Sequence, residues 1–416
     1  MAQLLQLVAA TMYARPLQTA GMPFVAGFAG HIGTTEFRFH TLVSIRDMIN
    51  AAEIWRELDR TTSAPNCFFQ SYDWCKSWLE HHGGDSHRPI IHMVTQGGRA
   101  VAILPMMRVK AWGPVHVLRP LGEPHTQYAG VLTPNGSIPT EALQLLRRAL
   151  LDVSGIDTIV VQYLPRGSPL QLILGPQSEV QTMVNEASQF DLSVFANSSD
   201  FAASMPARRR QAKRRAVAAM HDDGELQLKV IWPGEPAFAI AVGQCLHWKK
   251  DWIAQTGRMN SGLGLKGHEA FLASIPGSLE QGGAVIFALY AGARPIAYQL
   301  GFIYRRQYHL YTASFDWSLR RWSLGTVLID MTIGWLISHD VSIFDLMGNP
   351  APYKENWSNQ HLQLSGHIIS LSARGKIYSA LWNRTLRPAL KTVYFQLPQT
   401  FRTQFASFFG KKVQVP

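Results

Sequence analysis

The sequence is poor in cysteine, in charged residues and in long apolar runs, and each shortage excludes a class of protein. Three cysteines occur in 416 residues, none at the CxxC spacing, so neither a disulfide framework nor a cysteine-based zinc site is predicted. A reducing, cytoplasmic location is therefore expected. Charged residues make up 16% and hydrophobic residues 47% of the chain, a balance that predicts folded domains rather than disorder.

Long apolar runs and histidine clusters are also missing. A membrane-spanning helix needs about 20 apolar residues, whereas the longest candidate, residues 325–338, is shorter and contains Asp330. Membrane contact is thus expected to be peripheral at most. The fifteen histidines form no HExxH or similar motif, so no metal site is predicted, and His81, His82 and His309 are interpreted as isolated residues.

The order of predicted elements indicates two related domains. Residues 1–40 lack periodicity and are expected to form a loosely ordered arm. Residues 41–200 and 201–370 each show helix, strand, tight glycine turn, strand, strand, helix and strand, with the turns at 97–99 and 291–294. We therefore predict two copies of one α/β fold, followed by a helix-prone tail at 371–416.

A basic run lies between the two halves. Six of its eight positions are cations, which account for more than half of the net charge of +11: Arg208, Arg209, Arg210, Lys213, Arg214 and Arg215. In a helix, Arg210, Lys213 and Arg214 share one face, which suits a phosphate-bearing ligand. The alternative is a solvated face paired with scattered acids. Nucleic acid is a less favoured partner because no aromatic residues are interleaved with the cations.

Several segments carry a family resemblance. They are FFQSYDWCKSWLEHHG, GGRAVAILPMMR, LRPLGEPHTQYAGVLTP, ARRRQAKRRAVAAM, ASFDWSLRRWSLGTVLIDMTIGWL and FDLMGNPAPYKENW. In this order, over roughly residues 65–365, the chain resembles the cellulose-biosynthesis-type acetyltransferases of the GNAT superfamily, which are relatives of the Fem-type peptidyl transferases. The resemblance implies tandem GNAT-like domains, each a mixed, mostly antiparallel sheet flanked by helices, with acetyl-CoA or another acyl-CoA as donor.

The resemblance also implies a donor loop before the second-half helix. The residues assigned to CoA binding are Arg321, Ser323, Leu324, Gly325 and Thr326. Ordinary GNAT enzymes have a Gln/Arg-x-x-Gly-x-Gly/Ala loop, whereas this stretch has a single glycine. The loop still leads into a helix, so the backbone amides at 325–327 and the helix dipole are expected to favour a phosphate.

Acyl transfer needs a base, donors facing the oxyanion and a group that reprotonates the thiolate. We select four catalytic candidates near the expected V-shaped cleft: Asp316, Asp345, Tyr353 and Lys354. Each has a structural alternative, in which Asp316 caps the next helix, Asp345 pairs with an arginine and Tyr353 packs.

Further candidates are assigned to substrate or phosphate binding. They are Arg209, Arg210, Arg214, His247, Lys250, Tyr298 and Tyr128. His247 and Lys250 lie one helical turn apart, although a helix that packs its tryptophans and exposes its lysines explains the same letters. Tyr128 lies in the loop GEPHTQYAG, interpreted either as part of an acceptor site at the domain junction or as an ordinary turn.

Three functions remain open at this point. The first is transfer of an acyl group, acetyl above all, from CoA to an amine or hydroxyl of a small-molecule or glycan acceptor, in exopolysaccharide or cellulose biosynthesis. The second uses an aminoacyl-tRNA or carrier-protein donor, whose phosphates would contact the basic run. The third is a non-catalytic GNAT scaffold in a polysaccharide assembly, favoured by the single-glycine loop.

Overall fold

The structure is a computed structural model that divides into two compact units. It describes residues 36–111, 113–220, 224–257, 262–348 and 351–386, together with 389, 392, 393 and 396. The first unit comprises residues 1–184 and 364–393, and the second comprises 185–363 and 394–416. The chain therefore leaves the first unit and later returns to it.

The first unit is built on a mixed sheet. Its strands, in spatial order, are β1 (Phe37–Leu42), β2 (His87–Gln96), β3 (Arg99–Lys110), β4 (His116–Pro120), β5 (Thr158–Pro165) and, from Leu364 onward, β13 (Gln360–Ser370). Neighbouring strands are antiparallel except β4 and β5, which are parallel. The predicted hairpin turn is confirmed, since Gly97 and Gly98 adopt φ angles of 58° and 83° that favour glycine.

Helices cover this sheet and complete the first core. They are α1 (Ile45–Asn50), α2 (Ala52–Thr61), α3 (Tyr72–His82), α4 (Thr140–Leu151), α5 (Pro169–Leu174) and α12 (Ala373–Tyr378), with 3₁₀ helices at Pro65–Gln70 and Pro134–Gly136 and a π-helical stretch at Ser379–Leu386. The α4 helix buries Leu146 and Leu150 in the same cluster as Ile159 of β5. Three tryptophans of α2 and α3 are fully buried.

The second unit repeats this sheet. Its strands, in spatial order, are β7 (Leu226–Ile231), β9 (Gly282–Ala291), β10 (Arg294–Tyr304), β11 (Gln307–Phe315), β12 (Ile343–Asp345) and, from Asn185 onward, β6 (Glu179–Asp191), with β8 (Gly277–Ser278) beside β9. Only β11 and β12 are parallel neighbours among the described strands of this unit. The two units thus share strand order and strand directions, which confirms the predicted tandem of α/β folds.

Helices pack on both faces of the second sheet. They are α6 (Ser198–Ser204), α7 (Ala207–Ala219), α8 (Pro236–Thr256), α9 (His268–Ser274), α10 (Leu324–Ile337) and α11 (Pro352–Glu355), with a 3₁₀ helix at Trp317–Trp322. From α10, Thr332 donates to Gln299 of β10 at 2.8 Å. On the opposite face, Ser314 of β11, the neighbour of Tyr298, donates to the Cys245 carbonyl of α8 at 2.8 Å.

The domain boundaries differ from those expected. The first strand begins at Phe37 rather than after residue 40, and residues 1–35 of the expected arm lie outside the described residues. The second unit begins at 185 because the last residues of β6 pair with β12. Residues 364–370 belong to the first unit because β13 pairs with β5. Among the helices of the described residues, none combines the length and the hydrophobicity that a membrane span requires.

Candidate active site in the second unit

A gap opens where β11 and β12 part. The two strands pair only at Gln307↔Ile343, Tyr308↔Phe344 and His309↔Asp345. Strand β11 continues to Phe315, and among the described strands residues 310–315 have a neighbour only on the β10 side. We call the region beside this unpaired part of β11, beyond the end of β12, the β11–β12 cleft. It is an open strand edge inside a folded unit, able to accept an extended ligand.

The backbone of β11 directs hydrogen-bonding groups into this cleft. The Asp316 N–H donates to the Ile296 carbonyl at 3.0 Å, which makes this a hydrogen-bonded antiparallel pair. Because such pairs alternate, Ala313 and Phe315 lie in non-hydrogen-bonded pairs, and their N–H and C=O groups point away from β10. Both residues are partly exposed. The edge therefore presents two donors and two acceptors, and one of the acceptors, the Ala313 carbonyl, already accepts from Lys249 Nζ at 3.2 Å.

The same strand leads to the N-terminus of α10. The 3₁₀ helix after β11 ends at Ser323, whose left-handed backbone (φ 53°, ψ 39°) redirects the chain into α10. The Ser323 carbonyl accepts from the N–H groups of Thr326 at 2.9 Å and Val327 at 3.3 Å. Two of the three amides expected to face a phosphate are thus engaged, which corrects that expectation.

The amides of Leu324 and Gly325 remain at the open end of α10, and neither makes a hydrogen bond to a described residue. A Cβ atom added to Gly325 would meet no heavy atom within 4 Å beyond its chain neighbours and the adjacent helix backbone, so the space on the side-chain side of Gly325 is open. Arg321, which precedes this turn in the chain, is exposed, and its guanidinium carbon lies 4.6 Å from the Trp322 ring centroid. A helix N-terminus of this kind suits an anion.

Asp345 ends β12 at the vertex of the cleft and is fully buried. Its Oδ2 accepts from the side-chain amides of Gln189 at 3.1 Å and Gln307 at 2.7 Å, and His309 Nδ1 lies 3.4 Å away. Its Oδ1 accepts from the Met347 N–H at 2.7 Å. The carboxylate therefore fixes the turn after β12. His309 belongs to this cluster, so its interpretation as isolated was wrong.

Lys354 supports the same turn from α11. Its Nζ donates to the carbonyls of Met347 at 2.9 Å and Gly348 at 2.7 Å, and the residue is only 7% exposed. Burial, opposed by the attraction of Asp345 and assisted by the charge of Lys249, lowers the pKa of Lys354 to about 8. The neighbouring Tyr353 is 48% exposed. The structure thus brings Asp345 and Lys354 together around one turn.

Asp316 is engaged at the far end of β11. Its side chain accepts from the N–H of Ser318 at 3.0 Å and from its hydroxyl at 2.7 Å, and it pairs with Arg294. Burial opposes ionisation, but these hydrogen bonds outweigh it and lower the pKa of Asp316. A carboxylate held in this way is a weak base. These contacts agree with the alternative interpretation, in which Asp316 caps the next helix.

The basic run forms helix α7, which packs against α10 and the 3₁₀ helix. The Nζ of Lys213 lies 2.6 Å from Oδ2 of Asp330 in α10. Arg210 donates to the Met205 carbonyl at 2.5 Å. The predicted cationic face of Arg210, Lys213 and Arg214 is therefore divided, because two of its members are already engaged.

Arg209 is engaged as well. Its guanidinium carbon lies 4.1 Å from the ring centroid of Trp357, and it donates to the Asn356 carbonyl. The remaining cations, Arg208, Arg214 and Arg215, are exposed and form no ion pair with a residue that the structure describes. About half of the basic run is thus available to an anionic ligand.

The other predicted substrate residues do not join the cleft. His247 and Lys250 are exposed on α8, and His247 Nε2 lies 3.5 Å from Oδ2 of Asp251. Tyr298 is buried, with its ring centroid 5.4 Å from that of Trp248. Burial raises the pKa of the Tyr298 hydroxyl. For His247 and Lys250, the better interpretation is therefore the alternative in which α8 packs its tryptophans and leaves these side chains in solvent.

Tyr128 is fully buried in the first unit and offers no surface to a substrate. Its carbonyl accepts from the Gln70 side-chain amide at 2.9 Å, and its ring lies 6.0 Å from that of Phe69. The acceptor-site interpretation of Tyr128 is corrected accordingly: it is a core residue.

Sequence reasoning missed three residues at the cleft. Gln189 and Gln307 come from distant segments and meet only at Asp345, so no local pattern indicates them. Lys249 donates to the Ala313 carbonyl at 3.2 Å, whereas its neighbour Lys250 is exposed. Only the rotational setting of α8 separates the two lysines.

Comparison with known proteins agrees with this geometry. Residues 207–355 match the family model described as an acetyltransferase (GNAT) domain. No curated protein matches the chain. The solved structure of FemX is similar with a TM-score of 0.54 at 9% identity, over 78% of this chain and 98% of that one. The C-terminal domain of a protein assigned as a lysylphosphatidylglycerol synthetase from Agrobacterium fabrum gives 0.52 at 10% identity, over 80% and 95%.

At such low identity these two similarities establish the fold alone. The family match is narrower and falls on the second unit, where it includes the cleft, the N-terminus of α10 and the turn held by Lys354. Residues 207–355 thus match an acetyltransferase (GNAT) domain, within a chain that shares the fold of FemX.

Proposed function

We propose that the chain is an acyltransferase that takes its acyl group from a CoA thioester bound in the β11–β12 cleft. One observation carries the proposal. The open edge of β11 and the open N-terminus of α10 lie at successive points of one segment, inside the residues that match the GNAT family. An extended donor with amides at one end and phosphates at the other is complementary to both features.

The donor's parts match these groups separately. The pantetheine arm of CoA carries two amides, which suit the N–H and C=O groups of Ala313 and Phe315. The pyrophosphate suits the amides of Leu324 and Gly325 and the dipole of α10. The exposed Arg321, which precedes that turn in the chain, adds a positive charge.

Lys354 is the proposed proton carrier. When an acceptor amine or hydroxyl attacks the thioester carbonyl, a C–N or C–O bond forms, the C–S bond breaks, and the acceptor proton passes to a base while the thiolate gains one. A pKa of about 8 leaves part of Lys354 neutral near physiological pH, which suits a group that accepts and returns a proton. Asp345 and His309 are then positioning residues that hold its turn.

A polyanionic donor is the second candidate. Arg208, Arg214 and Arg215 are exposed on α7, which packs against the 3₁₀ helix that precedes α10. An aminoacyl-tRNA or a carrier protein's phosphopantetheine would bring phosphates toward these residues. An acetyl group, a small-molecule or glycan acceptor, and a role in exopolysaccharide or cellulose synthesis remain proposals of the sequence resemblance, as does the non-catalytic scaffold.

Calorimetric titration of the full chain with acetyl-CoA tests the proposal. We expect saturable binding that CoA itself inhibits. Absence of binding at millimolar acetyl-CoA would overturn the CoA donor. Retention of aminoacylated tRNA that falls steeply with salt, together with silence toward acetyl-CoA, would favour the second candidate. Absence of binding to both acetyl-CoA and aminoacylated tRNA would favour the non-catalytic scaffold.

A further inference from the structure

Lys249 of α8 reaches across to the exposed edge of β11. Its Nζ donates to the Ala313 carbonyl at 3.2 Å. Ala313 lies in a non-hydrogen-bonded pair with Gln299, so this carbonyl points into the β11–β12 cleft. It is one of the two edge carbonyls that an extended ligand would use. The Lys249 side chain therefore already binds a carbonyl with which the donor would pair.

From this geometry we propose that Lys249 is a latch on the donor site, which must release the Ala313 carbonyl before an amide-bearing donor pairs with β11. The inference rests on the proposed function, because it assumes that the donor lies along this edge. The ligand N–H would then approach a carbonyl oxygen beside which the lysine ammonium already lies, and the two donors compete for the same space and the same acceptor. Release of the lysine and binding of the donor are coupled.

The Lys249 ammonium has a second interaction partner close by. Its Nζ already lies 4.3 Å from the ring centroid of Trp252, one helical turn further along α8. The face of an indole ring attracts a cation electrostatically. When Lys249 gives up its hydrogen bond to the Ala313 carbonyl, the ammonium therefore keeps its contact with the Trp252 ring. This contact lowers the free-energy cost of release, so that ligand binding can supply it.

A latch at this position also has a structural use. An exposed strand edge is a template for pairing with another chain, and natural proteins blunt such edges with lysines. Lys249 places a charged group at the middle of the open edge of β11. A short peptide-like segment gains too little from one or two hydrogen bonds to displace it. A donor that also binds its phosphates at α10 gains more and is selected.

The test uses pantetheine, which has the donor's amides and no charge, so that loss of a cation does not alter attraction to the probe. Lys249→Met removes the ammonium and keeps the length of the side chain. We expect Lys249→Met to bind pantetheine about 3- to 10-fold more tightly than wild type, the range that corresponds to removal of one competing hydrogen bond. Lys249→Leu is the second variant, in case the first does not fold.

The matched control is Lys266→Met, which removes the same charge from an exposed position of the second unit. It should leave pantetheine affinity unchanged. Unchanged or weaker pantetheine binding by a folded Lys249 variant, while wild type binds CoA, would overturn the latch and leave the proposed function intact. If wild type and the variants bind neither CoA nor pantetheine, the proposed function fails and the latch fails with it.

Discussion

The Nζ of Lys213 lies 2.6 Å from Oδ2 of Asp330 and joins the basic helix α7 to α10. The Asp330 side chain is 5% exposed and that of Lys213 is 42% exposed, so the pair neutralises a buried carboxylate from the solvent side. Asp330 lies in the helix whose N-terminus is the proposed phosphate site. Without its partner, that carboxylate would oppose the binding of an anion there.

Lys213→Met should therefore lower the free energy of unfolding by about 1–3 kcal/mol, because it leaves the buried Asp330 without its ion-pair partner. Chemical denaturation measures this loss. Asp330→Asn added to Lys213→Met should recover part of it, since the buried charge is then gone. Strict additivity of the two single changes would show that the pair is not coupled.

Gly325→Ala is expected to separate ligand binding from stability. Beyond the chain neighbours and the adjacent helix backbone, neither Gly325 nor Gly334 of α10 has a heavy atom within 4 Å of an added Cβ, so alanine fits at both and should raise helix stability by up to about 1 kcal/mol. A Cβ tilts toward the N-terminus of its helix, so at 325 the methyl lies beside the open amides. Acetyl-CoA affinity should fall about tenfold for Gly325→Ala and stay unchanged for Gly334→Ala. Equal affinities would remove the phosphate from this turn.

Lys354 gives the stability of the protein a defined dependence on pH. Its pKa in the folded chain is about 8, below the ordinary value of 10.5, so between these values the unfolded chain binds a proton that the folded chain does not. Stability contributed by this residue is therefore lowest below pH 8 and rises above it. Relative to Lys354→Met, wild type should gain about 2 kcal/mol in unfolding free energy between pH 8 and pH 10. Parallel pH profiles for the two proteins would contradict the lowered pKa.

Replacing Arg208, Arg214 and Arg215 together with glutamine distinguishes the two donor classes. The three side chains are exposed, so the unfolding midpoint should hardly move. If a tRNA is the donor, the slope of log Kd against log salt should fall by about 2, because the variant neutralises fewer phosphates and releases fewer counterions. If CoA is the donor, acetyl-CoA affinity should change much less than in Gly325→Ala. The measurement is binding at several salt concentrations.

Local signals in the sequence account for much of the fold. Glycine at 97 and 98 and at 292, where φ is 56°, indicated the two hairpin turns, and the alternation of helical and strand patterns indicated two α/β units. The neighbour of β13 in the sheet could not be predicted. The segment HLQLSGHIISLS has a strand pattern, but nothing in it indicates which strand lies beside it. Pairing with β5, about 200 residues earlier, is a property of the assembled sheet.

The site was predictable to a lesser degree. Asp345 and Lys354 were selected because they lie in one distinctive segment, and the structure places both at one turn, while their role in catalysis stays a prediction. Lys249 was not separable from Lys250, since α8 is apolar on several sides and its letters do not reveal which face meets β11. Tyr128 was selected for substrate binding because it lies in the polar loop GEPHTQYAG, but its full burial excludes that role.

The return of the chain to the first unit has a consequence for synthesis. Strand β5 lacks one of its two neighbours until residues 364–370 have been synthesised, which happens only after residues 185–363 of the second unit. Until then the nascent first unit has one unpaired strand edge, a state prone to wrong pairing and in need of protection. A gene fragment ending at residue 184 would lack that strand permanently, so the two halves cannot be expressed as separate consecutive pieces with both sheets complete.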